Sequence, residues 1–169
     1  MTEPSACVIV ASTSAARGTA EDRTGPAIVD WARSHRLRCE PPIVVADGPP
    51  VEQALRSAIS SGAALVITTG GTGLSDDDLT PQATRSVIDR ELPGIAEAIR
   101  ARGLRVTALA ALSAGIAGLA GRTLVVNLPG SSGGVRDGLA VLDELIDHAL
   151  AQLGHLSDDA VHHDRGERR

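Results

Sequence analysis

The chain has 169 residues, 43% of them hydrophobic, and a formal net charge of -5, with one Trp and neither Phe nor Tyr. That length supports one domain with a sizeable core, here built from Ala, Val, Leu and Ile. The acidic balance argues against nucleic acid as a partner, because phosphate neutralisation needs a basic face. No stretch reads as a signal peptide and no apolar run approaches the roughly 18 residues that span a bilayer, so a cytoplasmic protein without a membrane partner is expected.

Met1 to Ser5 is a short polar lead-in, and the continuous apolar run Ala6 to Ala11 predicts a strand buried on both faces. Ser12 to Thr24 is small and polar and reads as a loop beyond a strand end. Gly25-Pro26 opens a helix, since proline in the first turn sacrifices no hydrogen bond, and Ile28, Val29 and Ala32 give it an apolar face up to about His35. Pro41-Pro42 before Ile43-Val44-Val45 predicts a strand at an edge. After the turn Asp47-Gly48-Pro49-Pro50, the spacing of Val51, Ala54, Leu55, Ala58 and Ile59 predicts a helix over 51–60, followed by a strand from Ala63 to Thr68.

Thr69 and the glycine turn Gly70-Gly71-Thr72-Gly73 come next, then three acids, Asp76, Asp77 and Asp78. Thr80 as N-cap and Pro81 as first helical residue open a helix that carries Val87 and Ile88 inward and ends before Pro93. Another helix is expected over 95–102. One or two short strands are expected within 103–121, and a clear strand from Thr123 to Leu128. Pro129 to Gly134 is a second small-residue loop. Val135 to Leu153 reads as one long amphipathic helix, so residues 1–153 form a single domain and 154–169 a disordered tail. Strands alternating with helices predict an α/β three-layer sandwich, a mostly parallel sheet with helices on both faces. Ligands of such sheets bind beyond the carboxyl ends of the strands, where the loops at 12–24, 47–50, 70–80 and 129–134 converge.

A β-branched run, a glycine turn and a helix start are the parts from which α/β proteins build anion sites. Acids beside that turn repel phosphate unless a cation lies between them, so the stretch reads as a site for a phosphorylated ligand and a divalent metal. Asp78 directly precedes the helix start and is favoured as a ligand. Asp76 and Asp77 fit equally as a solvated acidic turn favoured by the helix dipole, and Asp47 fits equally as an Asx-turn residue. Carboxylates with phosphate oxygens and water describe Mg²⁺. The glycine turn is followed by Leu74 rather than Lys-Ser or Lys-Thr, which excludes a Walker P-loop. Cys7 and Cys39 lack metal-ligand spacing and read as buried reduced thiols. His35 and His148 read as solvated, and His155, His162 and His163 fall in the tail.

Thr68-Thr69-Gly70-Gly71-Thr72-Gly73, followed by Asp78-Leu79-Thr80-Pro81 and Glu91-x-Pro93-Gly94, resembles the molybdopterin-binding (Mog/MoaB-type) family, which includes the gephyrin G domain. Asn127-Leu128-Pro129-Gly130-Ser131 matches its second motif, and Asp47 falls where the family carries an acid. The resemblance covers residues 6–153. It implies a cytosolic homotrimer in molybdenum cofactor biosynthesis, a molybdopterin adenylyltransferase that uses Mg²⁺ and ATP and releases pyrophosphate. A downstream molybdenum-insertion protein would take the product. The resemblance also implies Mg²⁺ on Asp47 and Asp78, donors from Thr69, Gly70, Gly71, Thr72 and Gly73, and a pterin side shaped by Ser113, Pro129, Gly130 and Ser131.

Two positions depart from the pattern. Ala114 follows Leu112-Ser113 where the family usually has Arg, and Ser132 stands where proline is usual. Arg122 and Arg136 are the candidate replacements for the missing cation. The departures keep two other readings open, a non-catalytic pterin-binding paralogue and a nucleotide pyrophosphatase of the related competence-damage-inducible family, which Asp77-Asp78-Leu79-Thr80 echoes.

Overall fold

A computed structural model of the chain describes residues 3–157, so the tail from 158 on, with His162 and His163, lies outside the described residues. The chain begins with β1 (Ser5–Ala11) and a short helix, α1 (Thr13–Ala16), capped by Ser12, whose Oγ accepts the Ala15 N–H. This helix lies within the segment expected to be a loop. α2 (Gly25–Ser34) starts at the Gly-Pro pair, and two short strands follow, β2 (Arg38–Cys39) and β3 (Ile43–Val45). Both pair in parallel with β1, and Pro41-Pro42 separate them at the sheet edge, where a missing N–H is tolerated. α3 (Pro49–Ser60), β4 (Leu65–Thr69), α4 (Thr80–Arg85), β5 (Arg90–Glu91) and α5 (Pro93–Leu104) come next. A 3-10 turn (Ala108–Leu112) precedes the hairpin β6 (Ala117–Ala120) and β7 (Thr123–Leu128), and α6 (Ser132–Leu142) and α7 (Ile146–Gln152) follow.

The seven-stranded sheet runs β2-β1-β4-β7-β6-β5, with β3 also on β1. β1 to β4 and β7 are parallel, whereas β6 is antiparallel to β7 and β5 to β6. Successive residues of each central strand face opposite layers. Val8, Leu65, Ile67, Leu124 and Val126 pack with Ile28 of α2, Leu139 of α6 and Ile146 of α7. Ile9, Val66 and Val125 pack on the other face with Val51 and Leu55 of α3 and Ala83 of α4. This is the expected three-layer α/β arrangement, and aliphatic side chains make up most of both layers.

Three boundaries differ from expectation. Leu79, not Thr80, is the N-cap residue of α4, and no side chain caps that helix. The helix stops at Arg85 instead of reaching Pro93, because Asp89 N–H donates to Leu119 O (2.6 Å) and draws the chain into edge strand β5. The long C-terminal helix is two helices. Glu144 N–H bonds Val141 O (3.3 Å) and Leu145 N–H bonds Leu142 O (3.0 Å), a tighter turn that ends α6. His35, expected to be solvated, has a side chain only 16% exposed, with Nε2 2.9 Å from Asp143 Oδ1. Trp31 Nε1 donates to the same oxygen at 2.6 Å, so α2 is stapled to the junction between α6 and α7.

Both cysteines are free thiols, Cys39 buried and Cys7 half-buried. Burial pushes the Cys39 thiol up to about 11, and it raises Cys7 as well. The neutral thiol is the form that suits the core. Its contribution to stability is therefore intact below the ordinary value of 9.0 and is lost as pH rises towards about 11. At pH 8 a thiol-reactive disulfide reagent should label the native chain at least ~10-fold more slowly than the urea-unfolded chain. Equal rates would contradict this burial.

Candidate active site

The carboxyl ends of β1, β4 and β7 finish side by side, because Val10 pairs with Thr69 and Thr69 with Leu128. The next residue after β4, Gly70, has φ +89, and a Cβ there would collide with the Ala11 carbonyl. Only glycine fits this turn. Its N–H donates to Leu128 O (3.2 Å), while Thr69 Oγ1 donates to Pro129 O (2.9 Å). A Cβ on Gly130 would lie 3.2 Å from Gly70 Cα, so the two glycine loops touch backbone to backbone.

This contact forms a ridge between two cavities. The larger, about 480 Å³, is lined by Gly70, Gly71, Thr72, Gly73 and Asp78, with Ser113 and the loop Pro129, Gly130 and Ser131 opposite. Its remaining wall comes from α5, the 3-10 turn and the segment between them, where it is largely aliphatic, and from Gly133, Gly134 and Asp137 of α6. The smaller, about 370 Å³, is lined by Ser12, Asp22, Thr24 and Thr69, and shares Gly70, Gly130 and Ser131 with its neighbour. Ser131 caps α6, its Oγ accepting the Gly134 N–H at 3.1 Å, and the N-terminal end of that helix faces the shared ridge. Exposed amides at such a terminus favour anions.

Of the predicted site residues, Thr69, Gly70, Gly71, Thr72, Gly73, Asp78, Ser113, Pro129, Gly130 and Ser131 line one or other of these cavities. Asp47 lines neither cavity. Thr13 holds it, with N–H and Oγ1 donating to Asp47 Oδ2 at 2.8 and 2.7 Å, while Oδ1 faces Gly71. The bond to Thr13 makes it a rigid, half-spent carboxylate rather than a simple Asx-turn residue. Asp78 Oδ2 accepts the Ser75 N–H (2.9 Å) and lies against Gly73. Asp76 and Asp77 are exposed. Among the described residues, no three of His, Cys, Asp or Glu gather into a metal cage. The donor chemistry nonetheless fits Mg²⁺, which takes one or two carboxylates and completes its shell with phosphate and water. Asp47 and Asp78 each keep one oxygen without a protein hydrogen bond among the described residues.

Arg122 and Arg136 do not supply the cation expected in place of residue 114. Arg122 is bound to Leu153 O and Gly154 O near the start of β7, and Arg136 lines a separate pocket beside Trp31. Two important side chains have no role assigned from the sequence, Asn127, which stands there only as part of the second motif, and Arg100. Asn127 is 3% exposed, donates to Thr68 Oγ1 (2.9 Å) and Thr84 Oγ1 (2.8 Å), and accepts the Ile116 N–H (3.1 Å). It ties β4, α4 and the approach to β6 together beneath the site. Arg100, on α5, lines the larger cavity and donates to Gly115 O (2.8 Å). Its place beside buried Ile99 and one turn from buried Ala96 was the available signal, and it was a weak one.

A family model described as "Probable molybdopterin binding domain" matches residues 7–151, and the chain belongs to that family. It is 40% identical over 149 residues to a molybdenum cofactor biosynthesis bifunctional protein of Synechococcus elongatus, covering 88% of this chain and 47% of that protein. The chain thus spans about half the length of that relative. It is 36% identical to a molybdopterin adenylyltransferase of Pyrococcus furiosus, covering 85% of this chain and 87% of the other. The solved molybdopterin biosynthesis Mog protein from Mycobacterium ulcerans is 49% identical and superposes with a TM-score of 0.85 over 89% of this chain and 99% of that one.

The Asn127 cluster can be tested apart from any activity. Asn127→Leu leaves the hydroxyls of Thr68 and Thr84 and the Ile116 N–H without their partner, and should cost roughly 3 kcal/mol in urea unfolding. Asp76→Ala, on the exposed turn, should stay within about 0.5 kcal/mol.

Proposed function

We propose that this family member acts in molybdenum cofactor biosynthesis as a molybdopterin adenylyltransferase. A phosphate oxygen of molybdopterin attacks the α-phosphorus of ATP; the new P–O bond forms as the bond to pyrophosphate breaks. The observation that carries this reading is the shared ridge. Two cavities meet at Gly70, Gly130 and Ser131, so two ligands can lie on either side with their phosphates over the same backbone donors. The larger, mostly aliphatic cavity suits the pterin. The smaller suits the nucleotide.

The chemistry asks for positioning and charge compensation rather than proton transfer, since the attacking phosphate is already ionised. Amides of Gly71, Thr72 and Gly73 and of the α6 terminus would hold the phosphates, and Ser113 would border the pterin. Thr13 keeps Asp47 in one orientation, so that its free Oδ1 faces the glycine turn. Mg²⁺ held by Asp47 and Asp78 would offset charge on the phosphates. A homotrimer, a cytoplasmic location and transfer of the product to a molybdenum-insertion protein complete the proposal. Among the described residues no helix is long and apolar enough to cross a membrane.

Purified protein given molybdopterin, ATP and Mg²⁺ should release pyrophosphate in step with adenylylated pterin. Chelation of the metal should abolish both products. Asp78→Ala should lower turnover by about 10²–10³ while the unfolding midpoint stays unchanged, the size expected for losing charge stabilisation in the transition state. Unchanged turnover would remove Asp78 from the mechanism, and pterin binding without pyrophosphate would favour the non-catalytic paralogue.

A further inference from the structure

The larger cavity has a charge problem that the backbone amides alone do not solve. Its charged lining residues are Asp78, Asp137 and Arg100. An anionic ligand entering beside two carboxylates meets repulsion unless a cation is present. Asp137 is partly compensated by Arg102, whose Nε lies 3.9 Å from Asp137 Oδ1. Arg102 itself does not line the cavity. Among the described residues, Arg100 is therefore the single cation in the wall.

Its bonding leaves it available. The half-buried guanidinium uses one nitrogen, Nη1, which donates to Gly115 O (2.8 Å) and to Ser113 O (3.4 Å). Among the described residues no carboxylate pairs with Arg100, and no protein acceptor takes its Nε or Nη2. The two carbonyls fix where the planar fork sits without neutralising it, and a fork of free N–H donors suits the oxygens of a phosphate. The segment it grips also borders the glycine turn, since the Ala114 N–H donates to Thr72 O (2.9 Å) and Ser113 lines the same cavity. Ala114 is exposed and outside the cavity wall, so the alanine there leaves this cation untouched.

The geometry points to Arg100 as the anion-binding residue of the larger cavity, the group that holds the phosphate monoester of the pterin substrate. This assignment deepens the adenylyltransferase reading and rests on it for the identity of the ligand. Arg100 makes phosphorylation of the pterin a condition of tight binding, and it sets which pterins the cavity accepts.

Calorimetric titration tests this with three probes: molybdopterin, the same pterin after phosphatase treatment, and inorganic phosphate. The wild-type chain should prefer the phosphorylated pterin by at least ~10-fold, the scale of a charge-assisted hydrogen bond. Arg100→Gln should erase that preference while leaving affinity for the dephosphorylated pterin unchanged, and should lose binding of inorganic phosphate. Arg100→Lys, which keeps the charge but not the fork, should retain part of the preference and guards against a folding defect in the first variant. Equal loss of both pterins in Arg100→Gln would mean that the arginine only braces the Ser113–Gly115 segment, and would overturn the assignment. So would a wild-type chain that binds both pterins equally, even if adenylylation is intact. Binding of inorganic phosphate that depends on Arg100, without affinity for either pterin, would keep the anion site and remove the pterin reading.

Discussion

The register between β4 and β7 is the constraint on which the site depends. With Thr68 opposite Asn127 and Thr69 opposite Leu128, the two strands end level, and the glycines that follow them are brought into contact. A slip of one residue would turn every side chain of a strand to the opposite face. Leu124, Val126 and Leu128 would leave one core layer and Val125 the other. The alternation that fills two aliphatic layers thus also fixes where Gly70 and Gly130 meet. Asn127 secures the same register from below, because its amide bridges Thr68 of the neighbouring strand and Thr84 of α4. Burying such an amide is tolerable only because its partners satisfy it.

Above that ridge the composition of the chain shapes the chemistry. With no Phe or Tyr and with Trp31 committed to the α2 staple, the larger cavity has largely aliphatic walls and, among the described residues, no aromatic platform. The proposed pterin would then be oriented by polar contacts, namely backbone amides of the glycine turn, Ser113 and the Arg100 fork. His35, placed between Asp143 and Asp147, is remote in role from the site, and His155 bonds Arg122 O. Among the described residues, neither cavity has a histidine in its lining.

Much of this was legible in the amino-acid order, for identifiable reasons. The continuous apolar run Ala6–Ala11 and the β-branched run within Thr123–Leu128 read as buried strands from their length and bounding turns, and the Gly70–Gly73 turn pointed to a candidate anion site only together with the acids that follow it. The break between α6 and α7 was not legible, because Val135, Leu139, Leu142, Ile146 and Leu150 keep one helical stripe straight through it. Nor was the early stop of α4, since Val87 and Ile88 continue its apolar pattern while edge pairing draws the chain away. The roles of Asp47 and Arg100 depend on partners far along the chain, Thr13 for one and Gly115 for the other. Spacing carries no trace of such contacts.

The proposed transferase needs two ligands bound at once in adjacent cavities divided by the Gly70–Gly130 contact. Titrating a non-hydrolysable ATP analogue, in the presence of Mg²⁺, into protein already saturated with molybdopterin tests it most directly. Both ligands should bind at once, one of each per chain, with the pterin retained throughout the titration. Displacement of the pterin by the nucleotide, with the two competing for one place, would contradict it.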